Sequence, residues 1–439
     1  MVSKELKMLK RNKLLLSFFI LIGTSLYAGE YDLNAFIELV KQNSKDLKLA
    51  KQELKMADAV KKEAWATALP KVAAQGGYKR NLLENYLFVD FPGQGKQKFK
   101  ISYNNEYSFN AALTQPLFSF KIGNALTAAD QYESMTDYIY EASEQGIIVY
   151  AKKGFYQALL LKKVLEIAEA SELSAKENYD NVKNKYENGL VSEFEMLQAE
   201  VGWKNKIPQT MEAQRSYDLL IANIKNFAGI PAEENLILKG NLETFPVKPE
   251  RESTDDVLGI RPDFQAIVWQ SRLRETGVQA ARADYFPYLD GSFTYIFSSQ
   301  SDLWKFENRN NNFILGASLK IPIYTGGYTG AQLQKARVEL EKSKINIDKN
   351  KDNITNELTN IFLRLDEAEK RIQSAKGTLS SAEKAFKIAE VSADNGLITQ
   401  LELKDALLFN DQANLNYYKA VYDYLDAYFD WEKATGRVE

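Results

Sequence analysis

The chain has 439 residues, 26% charged and 45% hydrophobic, with 24 Tyr, 23 Phe and a formal net charge of −3. It contains no His and no Cys, which excludes imidazole acid–base chemistry, thiol nucleophiles, disulfide frameworks and nearly all zinc sites. The acidic balance argues against a nucleic-acid partner. A mean hydropathy of −0.38 argues against a helical membrane protein but says little about a barrel, whose alternating strands average out.

The chain opens with the basic residues Lys4, Lys7, Lys10, Arg11 and Lys13, then an apolar run from Leu14 to Leu26, then the small residue of Leu26-Tyr27-Ala28. That order predicts a cleaved secretory signal peptide over 1–28, because the run is too short to span a bilayer.

The rest of the chain says the same thing twice. A first structural repeat is expected over 29–230, a proline-rich connector over 231–262 (Pro231, Pro246, Pro249, Pro262), and a second repeat over 263–439. Ala68-Leu69-Pro70 answers to Tyr285-Phe286-Pro287, and Gln115-Pro116-Leu117-Phe118 to Ile321-Pro322-Ile323-Tyr324. Asn188-Gly189-Leu190-Val191 and Phe227-Ala228-Gly229 recur about 207 residues later as Asn395-Gly396-Leu397-Ile398 and Ala434-Thr435-Gly436, the mark of a duplication. The stretch Pro70–Pro116 exceeds its counterpart Pro287–Pro322 by about eleven residues, so one loop is longer in the first half.

Within each repeat a short helix (about 45–68 and 263–286) leads to a β-hairpin (about 71–115 and 288–323). Tyr107, Phe109, Ala111 and Leu113 alternate with Ser108, Asn110, Ala112 and Thr114. In the second repeat Leu289, Gly291, Phe293, Tyr295 and Phe297 face away from Asp290, Ser292 and Thr294, and Phe313, Leu315, Ala317, Leu319 and Ile321 alternate with Asn312, Ile314, Gly316, Ser318 and Lys320. Val72, Ala74, Gly76 and Tyr78 complete the set more weakly. Four strands of about ten residues have the length that a tilted membrane strand needs. They cannot close a barrel alone, and open edges in lipid leave backbone groups unsatisfied, so subunits must share one.

Long helices follow, about 120–188 and 327–395. In the second, Leu340, Ile347, Ile354, Ile361, Ala368, Ala375, Ala382 and Ala389 fall at steps of seven, with Leu358, Leu365, Ile372, Leu379, Phe386 and Ala393 filling the partner positions. This is a coiled-coil seam, and such a helix is roughly 100 Å long at 1.5 Å per residue. Each long helix ends at Asn-Gly-Leu, where Gly189 and Gly396 suit a left-handed cap. Return helices follow over about 191–228 and 398–435, the first expected to kink at Pro208.

These residues together resemble the TolC family of outer-membrane efflux and secretion channels. The duplicated strand pair, the two Pro landmarks, Ile260-Arg261-Pro262-Asp263 at the opening of the second half and the two Asn-Gly-Leu tips carry the likeness. The resemblance implies an α+β membrane protein: a trimeric 12-stranded β-barrel, four strands per subunit, continuing into a long α-helical coiled-coil tunnel. It implies residence in the outer membrane of a Gram-negative bacterium, extending into the periplasm among outer-membrane lipid. The implied partners are two further copies in a homotrimer, a periplasmic adaptor (membrane fusion) protein and an inner-membrane pump of the RND, ABC or MFS type.

By the same resemblance Glu402 and Asp405 ring the periplasmic entrance, with Glu195 contributing less because Gln198 stands at its second position. Crowded carboxylates in such a ring should titrate above the free value. The adaptor is expected at the tips Asn188, Gly189, Leu190, Val191, Asn395, Gly396, Leu397 and Ile398. The basic residue and the tyrosine that lock the family's entrance align here with Ile398 and Ala393, so closure must be held differently or more weakly. No cofactor, metal or enzymatic activity is expected, since heptads and hairpins leave little room for a cleft with paired carboxylates. The alternative is a periplasmic coiled-coil scaffold or adaptor without a membrane barrel.

Overall fold

The computed structural model describes residues 29–438; the signal peptide expected over 1–28 lies outside the described residues. The chain divides into two compact units, one formed by Leu49–Ser143 with Ser253–Asn356, the other by the chain up to Lys48, Glu144–Glu252 and the chain from Glu357.

The first unit is built on strands β2 (Lys71–Arg80), β5 (Asn105–Phe118), β7 (Tyr288–Ser301) and β8 (Asn310–Lys320), in the order β2-β5-β7-β8. Each neighbouring pair is antiparallel. The register places all the apolar alternates on one face: Val72 opposite Leu113, Leu113 opposite Phe293 and Phe293 opposite Leu315. The next row but one is Ala74, Ala111, Tyr295 and Phe313. The other face is mostly polar, carrying Gln75, Asn110, Ser108, Thr114, Ser292, Thr294, Ser298 and Asn310 beside Ala112, Ile296 and Ile314, because side chains alternate along a strand. Pro116, which cannot donate to the ladder, coincides with a register shift between Pro116 and Phe118, as expected of proline in a sheet.

Aromatic rings mark both ends of the apolar face. At one end Trp304 stacks on Tyr78 at 5.2 Å and Phe306 meets Tyr107 at 4.7 Å. At the other, Phe120 lies 5.0 Å from Phe118 and 5.1 Å from Phe286. The run from Tyr107 to Phe118 is ~37 Å along the strand, or ~28 Å of depth at a tilt of ~40°, which matches a bilayer's hydrocarbon core. Strands β2 and β8 each keep one unpaired edge. The longer loop of the first half folds into a second hairpin, β3 (Tyr86–Phe91) with β4 (Gly95–Lys100), an element the sequence showed only as extra length.

Helices join the opposite end of the sheet. α2 (Lys45–Ala68) runs into β2, and α7 (Pro262–Ala283) precedes β7. α3 (Phe120–Glu187) and α8 (Tyr328–Asp394) leave from β5 and β8 and continue into the other unit. Lys61 of α2 reaches Glu133 and Asp130 of α3 at 2.7 and 3.0 Å, and Thr276 of α7 donates to Gln131 at 2.8 Å. All fourteen residues of the predicted α8 seam are buried or half-buried.

In the other unit α1 (Leu33–Asn43) buries Phe36 and Val40, while the strands β1 (Gly29–Tyr31) and β6 (Leu236–Leu238) pair in parallel. The first return segment is two helices rather than one kinked helix, α4 (Glu193–Lys204) and α5 (Lys206–Ala228), whereas the second is a single helix, α9 (Gln400–Thr435). The break falls at Asn205, before the proline itself. Pro208 has no N–H for the Lys204 carbonyl and its ring crowds that carbonyl, so the disruption appears up to four residues upstream. The remaining helix, α6 (Thr254–Ile260), lies in the connector beside α7. Lys152 and Glu432, only 7% and 12% exposed, join α3 to α9 at 2.7 Å. Asp426 and Asp430 of α9 share Lys153 and Arg364.

Candidate functional site: the two helical tips

The two tips of the helical unit are built alike. At the first, the Leu190 amide donates to the Lys185 carbonyl and the Gly189 amide to that of Tyr186, both at 2.8 Å. At the second, Leu397 donates to Ser392 at 2.8 Å and Gly396 to Ala393 at 3.0 Å. These paired bonds are a Schellman close, and it requires a left-handed residue, which Gly189 and Gly396 supply at φ 73° and 71°. Asn188 and Asn395 each add a side-chain bond to the carbonyl four residues back, at 2.7 and 2.8 Å. Leu190 and Leu397 are left 74% and 76% exposed, while Val191 and Ile398 are half-buried.

The next helix begins at once. Ser192 caps α4 by accepting from the Glu195 amide, and Thr399 caps α9 by accepting from the Glu402 amide, both at 3.3 Å. Glu402 reciprocates, its carboxylate accepting from the Thr399 amide at 2.7 Å and the Thr399 hydroxyl at 2.9 Å. This capping box satisfies amide groups that a helix start otherwise leaves open. The Thr399 amide first, then its hydroxyl, hold the Glu402 carboxyl below its ordinary value. Within the chain this is the reverse of the upward shift expected for a crowded ring: Glu402 is already engaged by its own helix cap. Asp405 lies one turn on and is exposed, and Glu195 is half-buried.

The structure brings together a set of polar residues that the sequence did not single out. Along α3, Ser171 donates to Asp411 at 2.5 Å and Asn178 to Gln400 at 2.7 Å. Asn181 donates to the Asp394 carboxylate at 2.8 Å, and Lys185 to the Asp394 carbonyl at 3.2 Å. Lys206 completes the node at Asp411, 2.8 Å away. Ser171, Asn178 and Lys185 stand at heptad steps, beside the apolar row of Ala168, Ala175 and Val182. The signal was therefore present as a second, polar row of the same period. A cavity of about 890 Å³ opens along this seam, lined among others by Asn178, Trp203, Lys206, Gln400 and Lys404. Ala393, where the family's lock would have a tyrosine, is buried.

A model of the outer membrane efflux protein family matches this chain twice, over residues 36–229 and 254–437. The chain belongs to the outer membrane efflux protein family. The second match begins within the proline-rich segment expected as the connector, and the protein is an outer-membrane protein. The outer membrane protein TolC of Vibrio cholerae is 22% identical over 330 residues, which cover 74% of this chain and 75% of that protein. The alkaline protease secretion protein AprF of Pseudomonas aeruginosa is 23% identical over 239 residues, 53% of this chain and 49% of its own length, so the match spans about half of that relative. Among solved structures, the Campylobacter jejuni CmeC outer membrane channel superposes with a TM-score of 0.79 at 19% identity, covering 92% of this chain and 85% of that one. This family member thus shares the barrel-and-tunnel fold of outer-membrane channels. Among the described residues no helix is long and apolar enough to cross a membrane.

Proposed function

We propose that the chain is one subunit of a passive exit duct. Three copies close a 12-stranded barrel, their helices continue it as a periplasmic tunnel, and cargo delivered by an inner-membrane pump and a periplasmic adaptor leaves through it. One observation carries this reading: a four-stranded sheet of membrane depth, apolar on one face, mostly polar on the other, with unpaired edges on β2 and β8. Lipid tolerates no open edge, so both edges must pair with neighbouring copies; three copies give the 12-stranded ring that the family likeness implies. A conduit needs no catalytic group, so the reading is of a channel and not an enzyme. A periplasmic scaffold without a barrel gives the apolar face nothing to contact.

At the tips, the exposed Leu190 and Leu397 and the paired turns Asn188–Val191 and Asn395–Ile398 form the surface for the adaptor. Glu402 and Asp405, with Glu195 in support, give the entrance its negative character. The polar seam from Ser171 to Lys185 supplies the closure that Ile398 and Ala393 do not, because hydrogen-bonded side chains can exchange their partners for water when the seam parts. The test is the mass of the purified protein by light scattering in a mild detergent. A trimer is expected, with ion conductance in planar bilayers; a monodisperse monomer refutes the reading.

A further inference from the structure

The β3–β4 hairpin has no counterpart in the second half, and its register gives it two unlike faces. Leu87 opposes Phe99 and Val89 opposes Gln97, whereas Phe88 opposes Lys98 and Asp90 opposes Lys96. One face is therefore apolar, with Phe91 and Phe99 in edge contact at 6.1 Å. The other presents Lys96, Lys98 and Lys100 in a row. Lys100 is held by Glu84 and Asp302, each at 2.9 Å. Lys98 instead lies 3.5 Å over the Tyr86 ring, and neither Lys96 nor Lys98 makes an ion pair among the described residues. Arg80 shares the sheet face of Tyr78 and sits over Trp304 at 5.5 Å, also without a carboxylate among the described residues. Arg80, Lys96 and Lys98 thus lie with aromatic rings in the strand end and hairpin at one rim of the sheet, Lys96 across the ladder from Asp90, in a protein whose net charge is negative.

The placement says what they face. The helices leave from the opposite end of this sheet and extend into the periplasm, so this rim lies at the outer surface. There the apolar sheet face ends in the Tyr78–Tyr107–Trp304 belt, the depth at which aromatic girdles meet lipid headgroups. We propose that the rim is a binding site for the phosphorylated headgroups of anionic outer-leaflet lipid, with Arg80, Lys96 and Lys98 on the phosphates and the hairpin's apolar face against the acyl boundary. Arginine and lysine bind phosphate by charge-assisted hydrogen bonds, and each basic residue near an anionic surface adds to affinity in a salt-dependent way.

The test uses the full-length detergent-purified protein and native mass spectrometry. The probes are diphosphorylated lipid A, phosphatidylcholine and inorganic phosphate. Lipid A is expected to remain bound and to be released as salt rises, while phosphatidylcholine and inorganic phosphate bind at least tenfold more weakly. The triple variant Arg80→Gln, Lys96→Gln, Lys98→Gln should lose on the order of a hundredfold in affinity. Lys79→Gln, whose cation already pairs with Glu106 at 3.5 Å, should bind like the unaltered chain. Equal retention of lipid A by the triple variant overturns the proposal. So does equal binding of phosphatidylcholine, which would make the rim merely apolar, or of inorganic phosphate, which would make it a free-anion site.

Discussion

If the polar seam holds the entrance shut, cutting it without touching the helices should open the duct. The double substitution Asn178→Ala, Asn181→Ala removes the bonds to Gln400 and Asp394. Each is worth ~1 kcal/mol net, and both donors are half-buried, so hydration of the freed partners reduces this to roughly half. One subunit then loses ~1 kcal/mol and a trimer opening in concert ~3 kcal/mol, a shift of about 10² in the ratio of open to closed. Alanine is the better helix former, so α3 and the trimer should persist. The assay is single-channel recording in planar bilayers, where a mostly closed channel should become mostly open. Closed-state conductance and open probability equal to the unaltered protein, with the trimer intact, would refute the latch.

At the tips, Gly189→Val with Gly396→Val forces β-branched residues to φ near +70° at about 1–2 kcal/mol or more each; export by intact cells should fall while outer-membrane trimer levels hold. For the entrance, Glu402→Gln with Asp405→Asn should lower cation preference and abolish block by multivalent cations, read as reversal potential and current. Because the folded Glu402 carboxyl lies below its ordinary value, its stabilising contribution is full above the unfolded value of about 4.5 and is lost as pH falls through the folded one. Melting curves of the unaltered protein and Glu402→Gln should therefore converge only in acid, and convergence already at pH 6 would count against the capping box. Lys152→Met alone should destabilise by up to about 3 kcal/mol by taking the 2.7 Å cationic partner from buried Glu432, and Lys152→Met with Glu432→Leu should recover part of it, as measured by denaturant melting.

The long-period features were legible because they repeat. Leu340 to Ala389 recur in one heptad frame, and a frame sustained over so many turns has few readings other than a buried seam. The strands were legible for the same reason at period two, and the register then placed Val72, Leu113, Phe293 and Leu315 in a single row. The polar seam was legible only as a period, Ser171, Asn178 and Lys185 at steps of seven, and not as contacts. Asn181 and Asp394 are 213 positions apart, and a polar residue in a heptad frame reads as a solvated face until its partner is known. Glu402 shows the complementary limit. Its spacing from Thr399 is a capping-box signature, and the structure shows that carboxylate accepting from the Thr399 amide and hydroxyl, an engagement that does not depend on what the carboxylate faces in an assembled ring. Pro208 marked the right region but not the break itself, since a proline disturbs the turn before it.

The order of the strands bears on how such a ring assembles. Within the chain, β5 of the first half pairs with β7 of the second, and the free edges β2 and β8 again belong to different halves. Every junction of a closed ring is thus a meeting of one half with the other, and the polypeptide connector has made half of those junctions intramolecular. A six-hairpin ring then forms through three encounters between chains instead of six. The order of the association reaction drops accordingly, and the tethered halves meet at an effective concentration on the order of millimolar, independent of how much protein the cell exports.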